Sequence, residues 1–237
     1  MNQTYLDSLT HLGVGGAHPG GLQLTKKILL KEKIDKKTFI LDAGCGTGQT
    51  SAYIAKHYGC NVTSLDYSET MLEKAKQRFI SLDLPIEVRQ GNTEHLPFND
   101  ASFDIVLSES VIAFTKHFLT ISEFKRILKQ NGLLIAIEMV REQPISEEDL
   151  QEITRFYGIS TLLTVQEWSY IFQRAGFKSV RIETFDQKFD KNIVENAPDF
   201  SFSENMHDTF FEILKEHKRL TNKYKDMLGV RIFRCFV

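Results

Sequence analysis

Leu41-Asp42-Ala43-Gly44-Cys45-Gly46-Thr47-Gly48 follows directly on a short apolar run and opens onto a helical pattern. Glycines at this spacing permit a tight turn and a close approach of backbone to ligand, and the helix start beyond them presents free N–H groups. Asp42 falls where the strand ends, in the crevice where open α/β sheets take their ligands. The spacing is GxGxG, not the GxGxxG of dinucleotide-binding folds. A carboxylate just ahead of the glycines would repel a pyrophosphate and attract an ammonium group. A nicotinamide or flavin dinucleotide is therefore disfavoured.

Outward from this stretch, one pattern repeats. Apolar runs at Thr38–Leu41, Asn61–Leu65, Ile86–Gln90, Phe103–Leu107 and Leu133–Met139 read as strands, several of them bounded by Gly, Asn or Asp. Helical periods lie between them. Ser68 stands as an N-cap ahead of a stripe formed by Met71, Leu72, Ala75 and Phe79. A second stripe, Ile121, Phe124, Ile127 and Leu128, marks a helix over Phe118–Leu128. Lys125, Arg126 and Lys129 suit the C-terminus of that helix, and Asn131-Gly132 is expected to end it. Alternating strands and helices predict an α/β, doubly wound, mostly parallel sheet with helices on both faces.

Past Val140 the pattern changes. Arg141–Asp149 is polar, contains Pro144 and reads as a loop entering a helix. Thr164-Val165-Gln166-Glu167 is a capping box opening a further helix, with Trp168, Ile171 and Phe172 inward and Gly176 at its end. Ser179–Phe185 and Val230–Val237 read as two late strands, which brings the sheet to seven. Between them, Asp186 to Leu228 is mostly polar, with an apolar helical stripe at Phe210, Phe211, Ile213 and Leu214. The expected partition is a helical cap over 1–37, a core over 38–185, a helical insertion over 186–228, and the last strand of the core sheet over 229–237.

Composition narrows the function classes. A 237-residue chain with 42% hydrophobic and 25% charged residues carries enough apolar material for a packed core. A net charge of −2, from 29 basic and 31 acidic residues, implies no broad positive field and disfavours a nucleic-acid partner. Cys45, Cys60 and Cys235 form no CxxC pair, so neither a zinc site nor a disulfide framework is expected. The opening residues lack the pattern of a signal peptide, and the longest apolar run is far shorter than a membrane span. A soluble, cytoplasmic protein is the expectation.

Two further signals complete the motif set. Asp66 closes the second strand, where an acid can accept hydrogen bonds from both hydroxyls of a ribose. Gly91-Asn92-Thr93-Glu94-His95-Leu96-Pro97-Phe98 follows the third strand. Together with the glycine stretch, these residues closely resemble the class I, Rossmann-like S-adenosylmethionine-dependent methyltransferases over roughly residues 38 to 140. A softer similarity to their small-molecule members runs through Leu163–Val180. The resemblance implies an antiparallel last strand and S-adenosylmethionine as cofactor. It implies cofactor contacts from Asp42, Gly44, Cys45, Gly46, Gly48, Asp66, Tyr67, Asn92, Thr93 and Ser108. Where the family carries Asp to accept from the adenine amino group, this chain has Asn92, whose amide oxygen also accepts. The family's reaction is an in-line methyl transfer in which the protein positions and desolvates the reactants.

On the acceptor side, Glu109 follows the fourth strand and is expected to face the crevice, with Glu138 ending the fifth strand beside it. Gly13-Val14-Gly15-Gly16-Ala17-His18-Pro19-Gly20-Gly21 reads as a flexible segment able to close over the pocket, with His18 as acid, base or orienter. The expected substrate is a small-molecule methyl acceptor. An RNA or protein methyltransferase and a non-catalytic cofactor-binding subunit are the alternatives. The [ND]PP[YF] stretch of amino-group nucleic-acid methyltransferases is replaced here by Ser108-Glu109-Ser110-Val111. His57, His95 and His117 read as surface residues, and Lys215–Lys225 as a solvated helix face. Cys45 has no visible activating base.

Overall fold

Alternation of side chains along each strand decides how this sheet is covered. In the computed structural model, residues 4–184, 201 and 208–237 are described. The strands are β1 (Phe39–Ala43), β2 (Asn61–Asp66), β3 (Glu87–Gln90), β4 (Phe103–Glu109), β5 (Leu128–Arg141), β6 (Ser179–Thr184) and β7 (Leu228–Phe236). They form one seven-stranded sheet in the order β3-β2-β1-β4-β5-β7-β6. The pairs β1–β2, β1–β4, β2–β3 and β4–β5 are parallel, and β7 runs antiparallel to both β5 and β6. The doubly wound, mostly parallel sheet with an antiparallel last strand is thus borne out.

Helices α1 (Tyr5–Leu12) and α2 (Gly21–Leu29) precede the sheet. The rest are α3 (Gln49–Tyr58), α4 (Glu69–Ser81), α5 (His117–Ile127), α6 (Glu147–Tyr157), α7 (Val165–Arg174) and α8 (Asp208–Lys223), with a 3₁₀ turn at Ile112–Phe114. Leu41, Val106, Leu134 and Phe233 turn to one face of the sheet, where they meet Phe124 of α5 and Trp168 and Phe172 of α7. Their neighbours Ile40, Ile105, Ile135 and Ile232 turn to the other face and meet Leu24 and Ile28 of α2 and Ile54 of α3. Period-2 burial on both faces is what a covered sheet demands. The expected caps hold: Ser68 accepts from the Met71 N–H, and Thr164 and Glu167 form the capping box of α7. No helix among the described residues is long and apolar enough to cross a membrane.

Several local expectations are corrected. The helix α5 stops at Ile127, because Leu128 already pairs with Phe103 as β5 begins. Asn131 does not end a helix. It sits at φ +66° inside β5, where the register against β4 shifts, and Asn tolerates this left-handed conformation better than most residues. The apolar stripe of α8 is rotated from its expected position: Leu220 and Tyr224, just beyond the helix end, are buried, whereas Phe211 is exposed. Phe210 and residues 185–200 and 202–207 of the expected insertion lie outside the described side chains and residues.

The basic run of α8 is not simply solvated. Arg219 and Lys223 pair with Glu152 of α6, and Lys223 also with Asp149, while the Tyr224 hydroxyl donates to both acids. Tyr5 of α1 packs edge-on against Tyr157 of α6 and stacks on His217 of α8, tying the three helices together. His117, expected at the surface, is half-buried with its ring 5.0 Å from that of Trp168.

Candidate functional site

The order of strands places a crevice where the chain reverses its direction of winding. It runs outward from β1 to β2 and β3, then returns to lay β4 on the other side of β1. Open α/β sheets take their ligands at the carboxyl ends of the strands flanking such a reversal. Asp42 stands there, beside Ser64 of β2 and Leu107 of β4.

The glycine loop leaving β1 is tied back by its own backbone. The N–H groups of Gly44 and Cys45 both donate to the Leu65 carbonyl, at 2.7 and 2.9 Å, and Gly48 N–H donates to the Cys45 carbonyl at 2.9 Å. Gly46 N–H donates to Asp66 Oδ2 at 2.9 Å, and Ser68 N–H to Asp66 Oδ1 at 2.8 Å, so two backbone donors orient this carboxylate. Gly46 takes φ +52°, and a Cβ built there would meet nothing within 4 Å. The loop therefore has an open face at Gly46. Its other sides are closed, with Val111 packed against Gly44 and Phe79 against Gly48.

Carboxylates gather around this open face. Asp42 is buried and accepts from the Ser51 hydroxyl at 2.5 Å, which in turn accepts from Ser64 at 2.6 Å. Burial, and after it the negative field of Glu109, push the Asp42 carboxyl up to about 7, against the pull of the Ser51 bond, with Asp66 adding to the rise. Burial also raises Asp66. Glu109 accepts from the hydroxyls of Thr25 (2.5 Å) and Thr50 (2.7 Å), and His18 Nε2 lies 3.4 Å from its Oε2. The side chains of His18 and Glu109 are only 3% and 7% exposed. The segment carrying His18 is thus folded down onto the carboxylates.

The remaining predicted residues divide. Asn92 is exposed, and its Oδ1 accepts from Glu94 N–H at 2.8 Å, shaping a turn. Thr93 is buried, with its hydroxyl 3.4 Å from that of Thr120. Ser108 is buried, and its hydroxyl has no hydrogen-bond partner among the described residues. Tyr67 is 78% exposed. Burial drives the Cys45 thiol upward, further from a reactive thiolate. Glu138 does not join the cluster. It lies inside β5 rather than at its end, fully buried, and accepts from the backbone N–H groups of Ile112 (2.9 Å) and Ala113 (3.4 Å). Burial pushes it up to about 8, against those same amides. The carboxylate holds the 3₁₀ turn in place.

A family model described as a methyltransferase domain matches residues 41–136. An uncharacterized methyltransferase of Bacillus subtilis, YodH, is 37% identical over 98% of both chains. The chain belongs to the methyltransferase family. The phosphoethanolamine N-methyltransferase 1 of Arabidopsis thaliana is 28% identical over 75% of this chain and 36% of its own. Phosphoethanolamine N-methyltransferase 2 of Haemonchus contortus, solved in complex with S-adenosyl-L-methionine, superposes with a TM-score of 0.80 at 18% identity, over 98% of this chain and 57% of that one.

The residues of this site fit S-adenosylmethionine, the ligand of the Haemonchus structure, which carries an ammonium and a sulfonium and no phosphate. Asp66 holds the loop beside its open side, Glu109 adds its negative field at Asp42, and the base against Glu109 is the imidazole of His18. A cationic ligand offsets the burial of Asp42 and the repulsion from Glu109 that adds to it, whereas a phosphate would increase that repulsion. Sequence reasoning missed Thr25, Thr50 and Ser51. Their signal was present: each is a hydroxyl on the buried face of its helix, as Thr25 beside Leu24 and Ile28, and a buried hydroxyl needs a partner.

Proposed function

We propose that this methyltransferase acts on a small-molecule acceptor held between the carboxylate cluster and the covering segment at His18. When bound, S-adenosylmethionine supplies an activated methyl group that an acceptor nucleophile displaces in line. Asp66 receives the ribose hydroxyls, Asn92 and Thr93 face the adenine, and the open side of Gly46 admits the chain between them. Asp42 and Glu109 balance the cationic end. Gly44, Cys45, Gly48 and Ser108 form the wall of this pocket, and Tyr67 lies at its exposed rim. His18 receives the proton that a neutral acceptor sheds, and Glu109, fixed by Thr25 and Thr50, orients the imidazole. Glu138, buried beneath the 3₁₀ turn, supports the pocket by holding that turn through the Ile112 and Ala113 amides.

The observation that carries this reading is the burial of His18 against Glu109. A crevice closed over in this way suits a reactant that can be enclosed, and enclosure keeps water from competing with the acceptor. The net charge of −2 and the acceptor named for the Arabidopsis relative support the same class.

The test is turnover of labelled S-adenosylmethionine against a panel of amines, quinols, phenols, bulk RNA and a protein lysate. Methyl transfer to one small-molecule class is expected. His18→Asn should lower its kcat by about 10²-fold or more while cofactor affinity stays within about twofold, since general acid–base catalysis is worth that much. Transfer to RNA or protein alone would overturn the proposal.

A further inference from the structure

On the α4 side of the glycine loop, Arg78 reaches Thr47. Its Nε–H donates to the Thr47 carbonyl at 2.8 Å, and Nη2 lies 3.4 Å from the Thr47 hydroxyl. That carbonyl shares its peptide plane with the Gly48 N–H, which donates to the Cys45 carbonyl at 2.9 Å. A planar peptide held at both ends loses its freedom to rotate. Thr47 is almost wholly buried, so its carbonyl has little water to turn to if the guanidinium is withdrawn.

The neighbours of Arg78 press on the same loop. A Cβ on Gly48 would meet the Phe79 ring at 2.5 Å and Ala75 Cβ at 3.0 Å, so α4 lies flush against the backbone there. Just ahead of α4, Asp66 takes the Gly46 N–H. Three consecutive residues are therefore each gripped from the β2–α4 side: Gly46 by a carboxylate, Thr47 by a guanidinium, Gly48 by packed carbon. We propose that Arg78 is a positioning residue for the cofactor. By fixing the Thr47–Gly48 peptide from the α4 side, it keeps the open face at Gly46 in the shape that receives S-adenosylmethionine.

A guanidinium suits this task because its planar fork bonds a carbonyl and a hydroxyl in one fixed orientation. An ammonium on a flexible stem retains the charge but not the plane.

Calorimetric titration with S-adenosylmethionine, run on Arg78→Met and Arg78→Lys, tests the assignment, together with hydrogen exchange of the cofactor-free protein. Arg78→Met should weaken cofactor binding about tenfold, the size expected for loss of a charge-assisted bond to a buried carbonyl. Arg78→Lys should recover part of it. Exchange at the Gly48 amide should quicken in Arg78→Met without a matching rise across the sheet. Tyr224→Phe, which loosens α8 far from the loop, serves as the control for general destabilisation and should bind cofactor like wild type. Wild-type affinity in Arg78→Met would overturn the proposal. So would an affinity loss no greater than that of Tyr224→Phe at a similar melting temperature.

Discussion

The hydroxyl of Thr25 donates to Glu109 Oε1 at 2.5 Å across 84 residues of chain, joining a helix that precedes the sheet to the end of its central strand. Thr50 meets the other oxygen from α3, so the two threonines hold one carboxylate from two helices. Thr25→Val keeps the shape and removes the donor. It should cost about 1–3 kcal/mol, as for a buried carboxylate left short of a bond, and Thr25→Ser should restore most of it. Urea unfolding of the three proteins measures this, and equal midpoints for Thr25→Val and wild type would refute it.

Two glycines of the loop should tolerate a side chain unequally. Gly46→Ala meets open space and suffers only the left-handed backbone, so its cofactor-free stability should fall by about 1–2 kcal/mol. Gly48→Ala adds to the same backbone penalty a collision with Phe79, and should lose about 1–3 kcal/mol more through overpacking. Cofactor affinity should suffer in both. Thermal unfolding without cofactor separates them, and the prediction fails if Gly46→Ala is the less stable.

Glu138 gives a pH dependence whose sign follows from burial. Its folded carboxyl titrates at about 8, above the ordinary value of 4.5, so between those values the folded protein retains a proton that the unfolded chain has shed. Stability from this group is complete below about 4.5 and is lost as pH rises toward 8. Asp42, raised to about 7, acts in the same direction. Glu138→Gln removes one of these titrations and should flatten the decline of stability between pH 5 and pH 8, by at most about 1.4 kcal/mol per pH unit. Unfolding midpoints across that range, in wild type and variant, supply the check.

The ion pairs between α6 and α8 predict a local effect. Asp149 and Glu152 are each held down to about 2, first by Tyr224 and first by Lys223 respectively, and both are half-buried at the surface beside an exposed Lys223. Lys223→Gln should therefore quicken hydrogen exchange within α8 and leave cofactor affinity unchanged. The difference should shrink at high salt, because exposed pairs are screened. An altered affinity for S-adenosylmethionine would show that α8 reaches further than its contacts indicate.

Much of this fold was legible because its signals are local. Ser68 and Thr164 announce their helices by capping chemistry that needs only the next three residues, and Met71, Leu72, Ala75 and Phe79 announce a face by spacing alone. Asn131 misled because Asn at a left-handed φ serves a helix end and an irregular strand equally well, and only pairing with β4 decides between them. The rotation of the α8 stripe depends on α1 and α6, which are remote in sequence. At the site, Asp42, Asp66 and Gly46 were legible from one contiguous motif and one strand end. Thr25 and Thr50 showed only as hydroxyls on apolar helix faces and Arg78 not at all, since the partner of each is brought near only by the folded chain.

The placement of β7 has a consequence for how the protein is made. This strand is wedged between β5 and β6 and carries Arg234, whose guanidinium bonds the Ile28 carbonyl 206 residues earlier and pairs with Glu32 and Glu183. Until residues 228–236 emerge from the ribosome, β5 keeps an unpaired edge and β6 has no neighbour at all. Once synthesis has passed Arg141, a nascent chain thus holds a five-stranded sheet with an open flank until β7 arrives, the kind of edge that recruits foreign strands. The cofactor crevice, built from β1, β2 and β4, is complete well before that flank closes. Binding of S-adenosylmethionine to the unfinished chain would then favour its ordered half by mass action, making the cofactor an aid to assembly as well as to chemistry.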